Sequence, residues 1–276
     1  MTAGIAALPM YDWPERREEV DAEWAAIRDR LHAAGIDAPA GLTRATGDLL
    51  DFWKRPDILL AQTCWGPLEL GLADHVHVVG QQNYDGIEGG KGEGYSSAIV
   101  MRRQDAADRS ATGFDASPSV LPDISHSEGD MSGRTRGMPA PTDGKMRLPL
   151  DLLRGKRFAF NVPDSMSGIM GLARDLQAIG ESLDIFADRI ETGGHRASIR
   201  AVAQSRADVA AIDCMSWALA ERHEPAAHDL VAVGWTAPRK GLPFITAKTT
   251  PPDVVRVLKT ALSGASFEAR FARASG

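Results

Sequence analysis

The chain has 276 residues, 43% of them hydrophobic and 25% charged, with a net charge of −6 at neutral pH. That length allows about two domains with substantial cores, and the composition is that of an ordinary globular protein. The acidic balance excludes a general nucleic-acid binder, and no apolar run approaches the ~20 residues that a membrane-spanning helix needs.

The opening apolar run, 5–8, is too short for the core of an export signal and follows no basic segment. That leaves a cytoplasmic chain, or one whose export signal has been removed. Asp12 with Glu15 three positions later reads as a capping box. Val20, Trp24, Ile27 and Leu31 follow at helical spacing, and Gly35 suits the helix stop. Strands are expected at 57–61, 75–79 and 96–101, with a short helix over 67–72. From 104 to 147 the composition turns to Ser, Asp, Gly, Pro and Ala. This reads as an exposed, poorly packed and flexible insertion, or alternatively as a lid. Regular elements then resume. They are a strand at 157–161, the helical stripe Ile169, Leu172, Leu176 and Ile179, a helix through Ile199 and Val202, and a strand at 208–212. A helix over 215–222, strands at 230–233 and 243–246, and a helix over 252–262 follow. Such alternation predicts an α/β fold with mostly parallel sheets flanked by helices. The cysteines, Cys64 and Cys214, are too few for a disulfide framework and lack metal-ligand spacing, so both read as reduced thiols. Nothing in the sequence calls for a metal or cofactor.

Ligands of open α/β sheets bind beyond the carboxyl ends of strands, where helices begin. Three such places carry small polar residues. Asn161-Val162-Pro163-Asp164-Ser165-Met166-Ser167-Gly168 precedes a helix, whose free amides and dipole suit an oxyanion. Ser165 or Ser167 reads equally as a plain helix cap. Thr192-Gly193-Gly194-His195 opens a second helix with exposed backbone donors and a ring N–H. Asp213 ends a strand and is either a third cap or a ligand carboxylate.

Taken together, Asp164-Ser165-Met166-Ser167-Gly168, Gly193-Gly194-His195-Arg196-Ala197-Ser198 and Ala207-Asp208-Val209-Ala210-Ala211-Ile212-Asp213 resemble the phosphate/phosphite/phosphonate substrate-binding family of ABC transporters. Gln62-Thr63-Cys64-Trp65-Gly66 and Gly241-Leu242-Pro243-Phe244-Ile245-Thr246 extend the likeness to nearly the whole chain outside the insertion. The resemblance implies a two-lobed type II periplasmic-binding fold with two crossover strands as its hinge. One lobe would comprise residues 1–98 and 246–276, and the other 102–240. It further implies that Ser165, Ser167 and Gly168, with Gly193, Gly194 and His195, cradle a small anionic solute. Asp213 resembles the carboxylate that meets an amino group in aminoalkylphosphonate binders, and Tyr11, Gln62 and Thr63 would reach in from the first lobe. A permease partner and a periplasmic location follow from the family. Two residues depart from its pattern: Gly194 stands where serine is usual, and Ile169 where an aromatic is common. The rival reading is a cytoplasmic enzyme on the same fold, similar to menaquinone-pathway enzymes, with His195 and Asp213 as an acid/base pair acting on a small carboxylate.

Overall fold

The computed structural model describes residues 4–107 and 137–263. Its strands are β1 (Ile5–Ala7), β2 (Ile58–Gln62), β3 (Val76–Gln81), β4 (Gly90–Lys91), β5 (Gly94–Tyr95), β6 (Ser97–Arg102), β7 (Arg157–Phe160), β8 (Asp188–Glu191), β9 (Val209–Asp213), β10 (Leu230–Trp235), β11 (Arg239–Lys240) and β12 (Pro243–Ala247). Its α-helices are α1 (Arg17–Ala33), α2 (Leu49–Trp53), α3 (Trp65–Glu69), α4 (Arg103–Ala107), α5 (Leu150–Leu153), α6 (Gly171–Ala178), α7 (His195–Ala203), α8 (Cys214–His223) and α9 (Pro252–Ser263).

The α1 stripe behaves as its spacing predicts. Val20, Trp24, Ile27 and Leu31 are all buried, against β1, β2 and the Leu258 and Leu262 side chains of α9. Burying each large side chain contributes roughly 1.5–3 kcal/mol, which fixes the helix to the first sheet. Its start differs from the expected capping box. A 3₁₀ turn, Pro14–Arg16, precedes α1, and no side chain caps the helix. Asp12 instead takes Arg44 and Glu15 takes Arg196, because a guanidinium offers each carboxylate a charged partner. At the far end Gly35 adopts φ 79° and its amide closes on His32, the left-handed stop that glycine permits.

Two larger sheets form. The first has the order β1-β2-β12-β3, and the second β10-β6-β9-β7-β8. In each, one strand runs against the rest: β12 is antiparallel to β2 and β3, and β6 to β9 and β10. The remaining strands share a direction, as the strand–helix alternation predicts. Both reversed strands leave a small third sheet in which β5 pairs with β11, Arg239 opposite Tyr95 and Lys240 opposite Gly94. The chain therefore passes between the two main sheets twice, side by side.

All five β9 residues are buried, as expected of a strand covered on both faces. The edge strand β8, Asp188-Arg189-Ile190-Glu191, is mostly exposed, and its polar sequence gave no strand signal. Ile179 is the other departure. The helix stops at Ala178, and Ile179 is 42% exposed beyond it.

The described ends of the 104–147 segment are not loose, contrary to expectation. Residues 104–107 are helical, and 137–147 run beside β10. The Met138 amide bonds the Ala232 carbonyl at 2.8 Å, the Trp235 indole donates to the Met138 carbonyl, and Arg147 pairs with Trp235 through both backbone bonds. β10 is an edge strand whose unpaired backbone groups this segment satisfies. Residues 108–136 lie outside the described residues.

Candidate functional site

β7 ends at Phe160 and the chain turns through Val162–Pro163–Asp164 into a single π turn, Met166–Met170, which leads into α6. Such turns concentrate at functional sites. Ser165 caps it, its hydroxyl accepting from the Gly168 amide at 3.0 Å. The capping reading thus holds for Ser165. Ser167 is free of that duty. Its carbonyl accepts from the Ser97 hydroxyl, and its own Oγ lies 2.8 Å from His195 Nε2. A Cβ at Gly168 would stand 1.5 Å from Asn161 Oδ1, so any side chain there requires Asn161 to move.

His195 is the first residue of α7, presented by the Gly193–Gly194 turn. Gly193 has φ 85°, a left-handed value that favours glycine, and its amide bonds the Asn161 carbonyl. Asp213, at the end of β9, caps α8 through the Ser216 amide. The same oxygen accepts from the Tyr11 hydroxyl at 3.0 Å, while Oδ2 lies 3.2 Å from His195 Nε2. Tyr11 in turn meets the Tyr84 hydroxyl at 3.0 Å, and Tyr84 accepts from the Leu242 amide. A continuous hydrogen-bonded chain therefore runs from Leu242, just before β12, to Ser167. It joins segments anchored on both main sheets.

A carboxylate can only accept, so the Nε2 that faces Asp213 carries the hydrogen. Ser167 Oγ then has that donor on one side and keeps its own hydrogen for another partner. Burial lowers the His195 pKa from its ordinary value, with Asp213 opposing the shift. Burial likewise pushes Tyr11, Tyr84 and Tyr95 well above the usual phenol range, and raises both thiols. Cys64 and Cys214 are thus protonated, and both are free thiols, as the sequence suggested. Ser167 and Asp213 approach the same ring nitrogen, whereas a nucleophile and its orienting acid need opposite ones.

Of the residues expected in the site, Tyr11, Ser165, Ser167, Gly168, His195 and Asp213 form one cluster, with Gly193 and Gly194 shaping the turn behind His195. Gln62 and Thr63 lie one step away. Gln62 bonds Gln82, and both line a small cavity with Tyr11, Arg16, Glu23 and Met215. Thr63 Oγ1 is buried without a partner. Three groups escaped the sequence reading. Tyr84 and Tyr95 lie 5.4 Å apart between centroids with their rings tilted by 32°, and the buried Tyr95 hydroxyl, beside Ser167, has no hydrogen-bond partner. Arg196 crosses the rim. It donates to both Glu15 oxygens, bonds Glu224, and lies 4.6 Å above the Trp13 ring. Arg174 of α6 pairs with Glu69 of α3 at a second crossing point.

A family model described as the periplasmic substrate-binding protein of phosphonate ABC transporters matches residues 68–270. The chain belongs to that family. Among solved structures it is similar to PhnD1 from Prochlorococcus marinus in complex with methylphosphonate, at 14% identity and a TM-score of 0.61, covering 93% of this chain and 82% of that one. A binding-protein component of a phosphonate ABC transporter from Pseudomonas aeruginosa gives 13%, 0.59, 94% and 73%. A Xanthomonas citri protein bound to ATP gives 14%, 0.58, 95% and 82%. At these identities the likeness speaks for the fold, which is the type II periplasmic-binding fold. No curated protein matches the sequence. The binding protein is by family a component of an ABC transporter, and the enzyme reading has no support. Among the described residues no helix is long and apolar enough to cross a membrane.

Proposed function

We propose that the protein captures a small phosphonate- or phosphate-type oxyanion between two lobes, residues 1–98 with 246–276 and residues 102–240, and delivers it to a permease from the periplasm. The observation that carries this reading is the buried Ser167–His195–Asp213–Tyr11 chain, which joins strand ends of both sheets. Ser167 and the unpartnered Tyr95 and Thr63 hydroxyls supply donors for solute oxygens. Gly168 packs against the Asn161 side chain, Gly193 supplies the left-handed turn before His195, and Ser165 and Gln62 hold the two walls in place, with Gly194 as the N-cap of α7.

Asp213 takes a different part from the one its family resemblance suggests. Its oxygens already meet Tyr11, Ser216 and His195, so it orients the histidine and leaves little for a solute amine. The favoured solute is therefore a simple oxyanion such as methylphosphonate, the compound bound by the Prochlorococcus marinus neighbour. Calorimetric titration should show tighter binding of methylphosphonate than of 2-aminoethylphosphonate. Ser167→Ala should weaken it about 10- to 100-fold, since a hydrogen bond to a charged group is worth roughly 1.5–3 kcal/mol. Ser165→Ala should instead cost about 1 kcal/mol of stability through the lost cap. Unchanged affinity in Ser167→Ala would place the solute elsewhere.

A further inference from the structure

An oxyanion entering this cluster meets a carboxylate and no cation. Asp213 is the charged group that acts on the His195 ring. The tyrosines and thiols facing the cluster are neutral. Tyr11, Tyr84 and Tyr95 close it on one side, Cys64 lies across from the Ser165 turn, and Cys214 begins α8; burial keeps all five protonated. Asp164, at the head of that turn, adds a half-buried carboxyl that burial pushes up. Nearby cations are committed elsewhere. Arg196, next in the chain, turns outward to Glu15 and Glu224. Arg16 is held by Glu19 and Glu23, and Arg239 by Asp175, while Lys240 sits over Trp65. Two negative charges side by side, without a counter-charge and away from water, are strongly disfavoured.

The ring offers the missing charge. Its Nε2 is occupied between Ser167 and Asp213, while Nδ1 is buried with no hydrogen-bond partner. The Ala211 carbonyl acts on the ring in the sense that favours its charged form. We propose that the solute enters together with one proton from solvent, which His195 takes up at Nδ1, placing an imidazolium between the solute oxygens and Asp213. This rests on the oxyanion reading of the site given above. In the empty cleft burial keeps the ring neutral at neutral pH, and a bound anion raises its pKa again. Affinity is then highest below the pKa of the empty site. It falls about tenfold per pH unit as pH rises toward the pKa of the complex.

Titration of the full chain with methylphosphonate at pH 8, in two buffers of different ionisation heat, counts the protons exchanged. The wild type should take up about one proton per solute. His195→Gln keeps an amide beside Ser167 and Asp213 but cannot be protonated, so it should take up none and lose the pH slope. Equal uptake in that variant would put the proton on the solute and overturn the proposal, as would tight wild-type binding with no uptake. Nitrogen-15 NMR of the His195 ring reads the same event without a variant. In the saturated complex at pH 8 both nitrogens should be protonated, and a bare Nδ1 would overturn the proposal. Absence of wild-type binding to methylphosphonate, phosphite and phosphate would instead overturn the oxyanion reading, and the proton uptake with it.

Discussion

Gly193 and Gly194 stand together before α7 with opposite requirements. Gly193 has φ 85°, where a Cβ costs about 1–2 kcal/mol. Gly194 is the N-cap of α7 in extended backbone, with no side-chain cap and nothing within 4 Å of a Cβ. Gly193→Ala should therefore destabilise the protein by about 1 kcal/mol or more. Gly194→Ser should stabilise it by a few tenths, because its hydroxyl can accept from the first turn. Thermal melts of the two variants check this, and a lower melting temperature in Gly194→Ser would show that the cap position is not open. The same turn shows how much of the site was legible. Ser167, His195 and Asp213 announce themselves by standing where strands give way to helices. Tyr84 and Tyr95 lie in a glycine-rich stretch with no periodicity to place them. One signal was available: the chain has three tyrosines in all, and all three are buried at this site.

Elements with a strong apolar pattern were readable, and those held by polar contacts were not. The α1 stripe, the uniformly buried β9 and the closing α9 follow from side-chain spacing, since burial of apolar surface decides their place. β8 is an exposed edge, and β4, β5 and β11 are two residues each, too short for any period. The Pro14–Arg16 turn was misread because Asp12 and Glu15 form ion pairs with residues distant in sequence. One of these pairs has a consequence for binding. Arg196, beside His195, bridges Glu15 next to α1 and Glu224 next to α8, and holds the Glu15 carboxyl down at about 2. The pair's closing contribution is full above about pH 4.5 and is lost as pH falls from there toward about 2. It is partly exposed, at 23% and 35% for the two side chains, so about 1 kcal/mol is a fair ceiling. Glu15→Gln should speed solute release by up to about fivefold with little change in association rate. Stopped-flow displacement measures it, and an unchanged release rate would mean that this bridge does not hold the closed state.

At the scale of the whole molecule, closure requires the two sheets' loops to fit at backbone distance. Gly66, in α3 beside the first sheet, faces the turn that follows β7 in the second. A Cβ at Gly66 would stand 1.7 Å from the Asp164 carbonyl oxygen and 2.9 Å from Met170 Sδ. The nearer obstacle is backbone, so no rotamer change relieves it. Around this contact, Cys64 Sγ accepts from the Met166 amide at 3.4 Å, and Arg174 pairs with Glu69. Gly66→Ala therefore pulls in two directions. Within α3 the alanine is the better helix former by about 1 kcal/mol, so each half should fold at least as well as before. Bringing the halves together should become unfavourable. We expect a solute-free melting temperature equal to or slightly above wild type, an affinity for methylphosphonate reduced by about a hundredfold or more, and a larger radius of gyration in X-ray scattering with solute present. An unchanged affinity with the wild-type radius would mean that α3 and the Asp164 turn do not meet in the solute-bound protein. A large drop in melting temperature would mean that the contact belongs to the fold rather than to closure.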